Sequence, residues 1–103
     1  MKIYFTIDEL TDTDTGLRNP INSFATTDNL YTLTIVLSVV RSLVGCPIHV
    51  NSAYRCDHVN KAVDGSPNSL HRYGRAADIT CSDMAALSQY CSLFYKCGVF
   101  TEY

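Results

Sequence analysis

Apolar residues recur at three- and four-residue spacings along one stretch of the chain: Leu30, Leu33, Val36, Leu37, Val40, Leu43 and Val44. That period predicts a long helix starting at Thr27 and Asp28 and running to about Val44, with Gly45 as its stop. This is the core helix. The period then drops to two. Pro47–Ser52 alternates Ile48 and Val50 with His49 and Asn51, the pattern of a half-buried strand. Arg75–Thr80 reads as a second strand carrying Asp78 and Ile79 on opposite faces. Between the strands, Cys56–Val63 predicts a short helix with Val59, Ala62 and Val63 inward, closed by the turn signal Asp64-Gly65-Ser66-Pro67. A polar loop leads on to Gly74. Asp83 caps a last helix from Met84 to Lys96 bearing Leu87, Tyr90, Cys91 and Phe94, and Gly98 ends it.

The two ends complete the pattern. Tyr4–Leu10 predicts a brief helix in which Thr6 caps and Glu9, three residues on, completes a capping box. Residues 11–26 are rich in Thr, Asp, Asn, Gly and Pro and read as an irregular wrapping segment anchored by Leu17, Ile21 and Phe24. Val99–Tyr103 reads as the start of a third strand, cut off where the sequence ends. The sum is an α+β fold, a small antiparallel sheet packed against a long core helix and shorter helices. It is expected to form one domain over residues 1–103.

Composition narrows the partners. The chain has 103 residues, 47% of them hydrophobic and 17% charged, which suits one core of modest size. A formal net charge of −2 supplies no global basic field, so nucleic acid is not an expected partner. No apolar run approaches the roughly 18 residues of a spanning helix, so no membrane partner is expected either. The N-terminus turns acidic and polar within a few residues and predicts no signal peptide. Five cysteines at irregular spacing, without C-x-x-C, argue against a disulfide framework or a zinc ribbon and read mostly as reduced core residues.

Local charge says more. Arg55, Lys61, Arg72 and Arg75 lie between positions 55 and 75 with His58 and His71, against only Asp57 and Asp64. Such a segment suits an anionic substrate. A zinc ion that hydrolyses amides takes three protein ligands of His and carboxylate type and keeps one position for a water. His71 and Asp78 suit that demand, since a loop followed by a strand can turn both into one cleft. Asp78 sits in the apolar run A-A-D-I, where a buried carboxylate needs a cation or strong donors. A metal answers this. So does pairing with Arg55 or Arg75, and His71 could equally be a loop histidine bonded to a backbone carbonyl. Arg55 can clamp a carboxylate or polarise a carbonyl, or form a salt bridge to Asp57, Asp64 or Asp78. Ser69 reads as a turn hydroxyl and Tyr54 as core. His49 and His58 read as surface residues, with His58 kept as a substitute ligand.

Four segments, S-A-Y-R at 52–55, V-N-K-A-V-D-G at 59–65, S-P-N-S-L-H at 66–71 and G-R-A-A-D-I at 74–79, resemble in order and spacing the M15 metallopeptidases. These are zinc D-Ala-D-Ala carboxypeptidases and related peptidoglycan endopeptidases. The N-terminal F-T-I-D-E-L-T and the segment ending in R-N-P-I-N look like the family's short phage-type form, so the resemblance covers essentially the whole chain. It implies zinc as cofactor, His71 and Asp78 as its first two ligands, Arg55 on the substrate's carboxylate or scissile carbonyl, and Ser69 assisting in the same cleft. Family members carry a final His on a later strand, often with a Glu just before it as general base. Glu102 takes the base role here, and the third ligand is missing from the sequence.

The resemblance implies hydrolysis of peptidoglycan stem peptides, by a chain expected to be weakly active or inactive with two ligands. A monomer is expected unless a second chain completes the site. Synthesis in the cytoplasm and action at the bacterial cell wall follow if the chain is a phage-type lysin. Two other classes remain: a non-catalytic wall-binding module that needs no zinc, and a partner-binding half-site that self-associates with zinc.

Overall fold

The computed structural model of the chain describes residues 2–96. Four α-helices, a 3₁₀ turn and two strands follow in the order α1 (Ile7–Thr11), α2 (Phe24–Val44), β1 (Ile48–Ser52), α3 (Asp57–Ala62), the 3₁₀ turn Leu70–Tyr73, β2 (Asp78–Cys81) and α4 (Met84–Lys96). The strands pair antiparallel and the long helix α2 packs against α1, α4 and the 3₁₀ turn. The architecture is α+β, as the periodicities predict. Among the described residues no helix is long and apolar enough to cross a membrane.

Capping explains where the helices begin. Thr6 Oγ1 accepts from the Glu9 N–H at 3.2 Å and opens α1. Ser23 Oγ accepts from the Thr26 N–H at 3.2 Å, so α2 begins one turn before Thr27. The polar wrapping segment therefore ends at the Ser23 cap, and Phe24 becomes the first helical residue. This overturns two expected anchors: Phe24 is 93% exposed and Ile21 is exposed, while Leu17 does pack on the core. Gly45 ends α2 in the left-handed conformation, its N–H bonded to the Arg41 carbonyl. Asp83 Oδ1 accepts from the Ala86 N–H at 3.1 Å at the start of α4.

The core gathers Leu10, Leu30, Leu33, Leu37, Val40, Val59, Ile79, Leu87 and Cys91 around Tyr54. The α2 stripe is buried as its spacing predicts through Val40; Val44 is half-buried and Leu43 lies exposed near the helix end. In α3 the inward face is Val59 and Asn60, whereas Ala62 and Val63 face solvent. Asn60 displaces them because its amide has buried partners to satisfy. Cys56 and Cys91 are buried, Cys46 and Cys81 are half-buried, and all four are free thiols. The expectations for Phe94, Gly98 and the strand Val99–Tyr103 lie outside the described residues or side chains.

Candidate functional site

The site is built on the four residues after β1. β1 pairs with β2 through Ile48 with Cys81, His49 with Thr80 and Val50 with Ile79, and then the register shifts so that Ser52 stands opposite Asp78. Asn51 is the extra residue, and such a bulge re-aims the side chains that follow it. The chain leaving β1 is held at nearly every backbone group. The Ala53 carbonyl is bonded to the His71 ring, the Tyr54 N–H donates to the Leu10 carbonyl at 2.8 Å, and the Arg55 N–H donates to the His71 carbonyl at 2.9 Å. Asn19 holds the rest. Its Nδ2 donates to the carbonyls of Thr11 and Tyr54, each at 2.9 Å, and its Oδ1 accepts from the Cys56 N–H at 2.7 Å. Tyr54 is buried, and its hydroxyl donates to the Pro20 carbonyl at 2.8 Å.

His71 sits in the 3₁₀ turn, which Ser69 caps by accepting from the His71 N–H at 3.2 Å. Gly74 closes the turn with φ 71, and a Cβ there would lie 2.9 Å from Leu30 Cγ and 3.2 Å from the Thr26 carbonyl oxygen. Glycine is needed both for the conformation and for the approach of the turn to α2. The His71 ring is buried, with Nδ1 2.6 Å from the Ala53 carbonyl oxygen. A carbonyl only accepts, so Nδ1 carries a proton and donates. Nε2 is left buried without a hydrogen-bond partner, 3.4 Å from Asp78 Oδ1.

Asp78 is the first residue of β2, and its other oxygen, Oδ2, accepts from Arg55 Nη2 at 3.2 Å. The two alternatives weighed for these residues are thus both present, a histidine on a backbone carbonyl and a carboxylate on Arg55. Neither consumes His71 Nε2. Ala53 occupies Nδ1 and leaves Nε2, while Arg55 meets Asp78 through Oδ2 and Oδ1 faces Nε2. Nε2 and Oδ1 face one another, and a proton or a cation placed between them would be held by both. Two donors bound to one tetrahedral zinc at about 2.0–2.1 Å stand about 3.3–3.4 Å apart, which matches the observed separation of 3.4 Å. The pair fits zinc in donor type and spacing; His71 is buried, whereas Asp78, expected to be buried in its apolar run, keeps 31% of its side chain exposed at the strand's start. Among the described residues no third His, Cys, Asp or Glu joins it.

Arg55 is committed at all three nitrogens: Nε donates to Ser52 Oγ at 3.2 Å, Nη1 to Asn60 Oδ1 at 3.3 Å and Nη2 to Asp78. Two of its five N–H groups remain outside these bonds. Arg72, another cation of the basic segment, is paired. Arg72 donates to Asp57 Oδ1 at 2.9 Å and to the Pro67 carbonyl, and the Asp57 carboxylate beside it raises the guanidinium's pKa. Beside them, Asp57, Asn60, Lys61, Gly65, Pro67 and Arg72 line a cavity of about 350 Å³. His49 and His58 are both exposed, as expected of surface residues. Glu102 lies outside the described residues.

A family model described as Peptidase M15 matches residues 3–101. The chain belongs to the M15 peptidase family. M15 peptidases are generally zinc-dependent, and in this M15 chain the two residues with the right donors stand at ligand spacing. A search of curated proteins returns no match. Asn19 and Asn60, which also hold this cluster together, are not marked out by the sequence pattern. Both stand in segments that carry the family resemblance, R-N-P-I-N and V-N-K-A-V-D-G. An asparagine midway through a short predicted helix, where its propensity is poor, is the signal that could have marked Asn60.

Proposed function

We propose that this chain is a zinc-dependent peptidase of peptidoglycan stem peptides, with His71 and Asp78 as metal ligands. The observation that carries the reading is the buried, unpartnered His71 Nε2 facing Asp78 Oδ1 at 3.4 Å. Bound zinc supplies a Lewis acid and a water of lowered pKa. The protein's own groups do the rest. The Ala53 carbonyl holds the His71 tautomer that presents Nε2, a role usual for the outer partner of a metal-binding histidine. Arg55 orients Asp78 through Oδ2 and offers its two remaining N–H groups to a substrate carboxylate or to the oxyanion that forms at the scissile carbonyl. Ser69 keeps the turn carrying His71 in place, and its role as a substrate contact is what the family resemblance implies. Glu102 takes the proton from the attacking water. The peptidoglycan substrate is supported by the four motif segments and by the cationic side chains grouped around them.

Zinc stoichiometry of the purified chain tests the reading, with His71→Ala and Asp78→Ala as controls. The expected result is zinc bound by the parent and lost in both variants. Cleavage of a purified muropeptide, followed by mass spectrometry, then identifies the bond. A parent that holds no zinc, or variants that hold as much as the parent, would reduce His71, Asp78 and Arg55 to a structural ion cluster.

A further inference from the structure

Asn60 is 4% exposed, an uncommon place for an amide side chain unless each of its polar atoms is satisfied. Both are. Oδ1 accepts from Arg55 Nη1 at 3.3 Å, and Nδ2 donates to the Ser66 carbonyl at 3.0 Å. The amide has one possible orientation, because a guanidinium only donates and a carbonyl only accepts. The backbone closes the same knot, with the Gly65 N–H donating to the Asn60 carbonyl at 2.8 Å.

Arg55 meets Asp78 through Nη2 alone. A single contact leaves the guanidinium plane free to turn, unlike the two parallel bonds of a fork-to-fork pair. Its plane is set by the bonds to the other two nitrogens, Nε to Ser52 and Nη1 to Asn60. Asn60 is the one of these two supports that is fully buried and itself anchored. It is also neutral, so it fixes the guanidinium without competing with Asp78 for the positive charge. Gly65 shows how closely the unit is packed: a Cβ there would lie 2.8 Å from Asn60 Cγ and 3.1 Å from Arg55 Nη1.

We propose that Asn60 is a positioning residue, which fixes the Arg55 guanidinium so that its remaining N–H groups are held ready for a substrate oxygen, and that position 65 is glycine to admit the Asn60 amide. The substrate half of this proposal rests on the zinc peptidase reading. The fixation of Arg55 does not.

The experiment compares the parent with Asn60→Ala, Gly65→Ala and the double variant, in the parent and in an Arg55→Ala background. Solvent exchange of the Arg55 Nε–H, read by NMR, reports fixation directly. Asn60→Ala is expected to speed that exchange at least about tenfold at unchanged zinc stoichiometry. Gly65→Ala, which leaves Asn60 in the chain but crowds its amide, should do the same. The double variant should match Asn60→Ala alone, since the crowded group is then gone. On a muropeptide, each single variant should lose about tenfold to a hundredfold in kcat/KM, and neither should lose more once Arg55 is alanine. Unchanged exchange in Asn60→Ala overturns the proposal, as do losses that multiply in the double variant or persist in the Arg55→Ala background. A parent without zinc or hydrolysis would instead sink the peptidase reading and the substrate half with it, while the exchange rates would still decide whether Asn60 fixes Arg55.

Discussion

His71 and Ala53, 18 residues apart, are joined by a 2.6 Å hydrogen bond from the ring Nδ1 to the backbone carbonyl. The Arg55 N–H returns a bond of 2.9 Å to the His71 carbonyl. The histidine turn and the segment after β1 therefore move as one piece, and the acceptor that selects the His71 tautomer is backbone, which no side-chain substitution removes. Asp78 joins them from β2 through Arg55. Three parts of the chain separated in sequence share a single small polar cluster under the sheet's end.

Arg55 is the outer partner of a proposed metal ligand, so its loss should reach the metal. Arg55→Ala is expected to weaken zinc binding by about 10- to 100-fold, measured by chelator competition. Asp78→Asn keeps the shape of the side chain but removes its charge, and it should lower zinc stoichiometry outright. An Arg55→Ala protein with parental zinc affinity would show that the Oδ2 contact does not orient Asp78.

Gly74→Ala should be among the costliest small substitutions. The φ of 71 alone penalises an L-residue by about 1–2 kcal/mol, and crowding Leu30 Cγ and the Thr26 carbonyl adds about 1–3 kcal/mol. A drop in Tm of at least about 5 °C is expected. Because the Gly74 N–H is bonded to the His71 carbonyl, the His71 ring resonances should shift as well.

Tyr54 should leave a mark on alkaline stability. Burial pushes its hydroxyl pKa above the usual tyrosine value, and negative charge at Cys56 and Asp57 pushes the same way. The folded state thus holds this proton more tightly than the unfolded state, whose tyrosine titrates near about 10. The resulting stability is fully present below about pH 10 and is lost as pH rises through the folded value. Tyr54→Phe should lack that share of the alkaline loss, and at neutral pH should cost about 1 kcal/mol for the bond to Pro20. Urea unfolding of both proteins between pH 7 and 11 checks the difference.

Ser23 and Phe24 make a paired prediction about the start of α2. Ser23→Ala should cost about 1 kcal/mol by removing the cap, whereas Phe24→Ser should stay within about 0.5 kcal/mol because the ring contributes little to the core. Thermal unfolding of the two variants decides whether the helix begins at the serine or one turn later.

Much of this protein is legible from local pattern alone. The spacing from Leu30 to Val40 identifies the buried stripe of α2, and the alternation of Ile48 and Val50 identifies β1, since helical and strand periods are local properties of the backbone. His71 and Asp78 have donors suited to zinc, but among three histidines, five cysteines and ten acids it is the motif segments around them, by their family resemblance, that mark them out. Phe24, Leu43 and Val63 are apolar yet exposed, for burial depends on what the rest of the chain brings against a position. The atomic roles belong to the tertiary structure too. His71 Nδ1 is taken up by Ala53, Asp78 Oδ2 by Arg55, and Asn60 is drawn inward by Arg55 and Ser66. Asn19 binds Tyr54 and Cys56 from 35 and 37 residues away. The sequence by itself determined which residues had the chemistry for a metal and which segments could form elements. Only the folded chain decided which of their atoms are taken up and left His71 Nε2 without a hydrogen bond, because a partner dozens of residues distant has no signature in local periodicity.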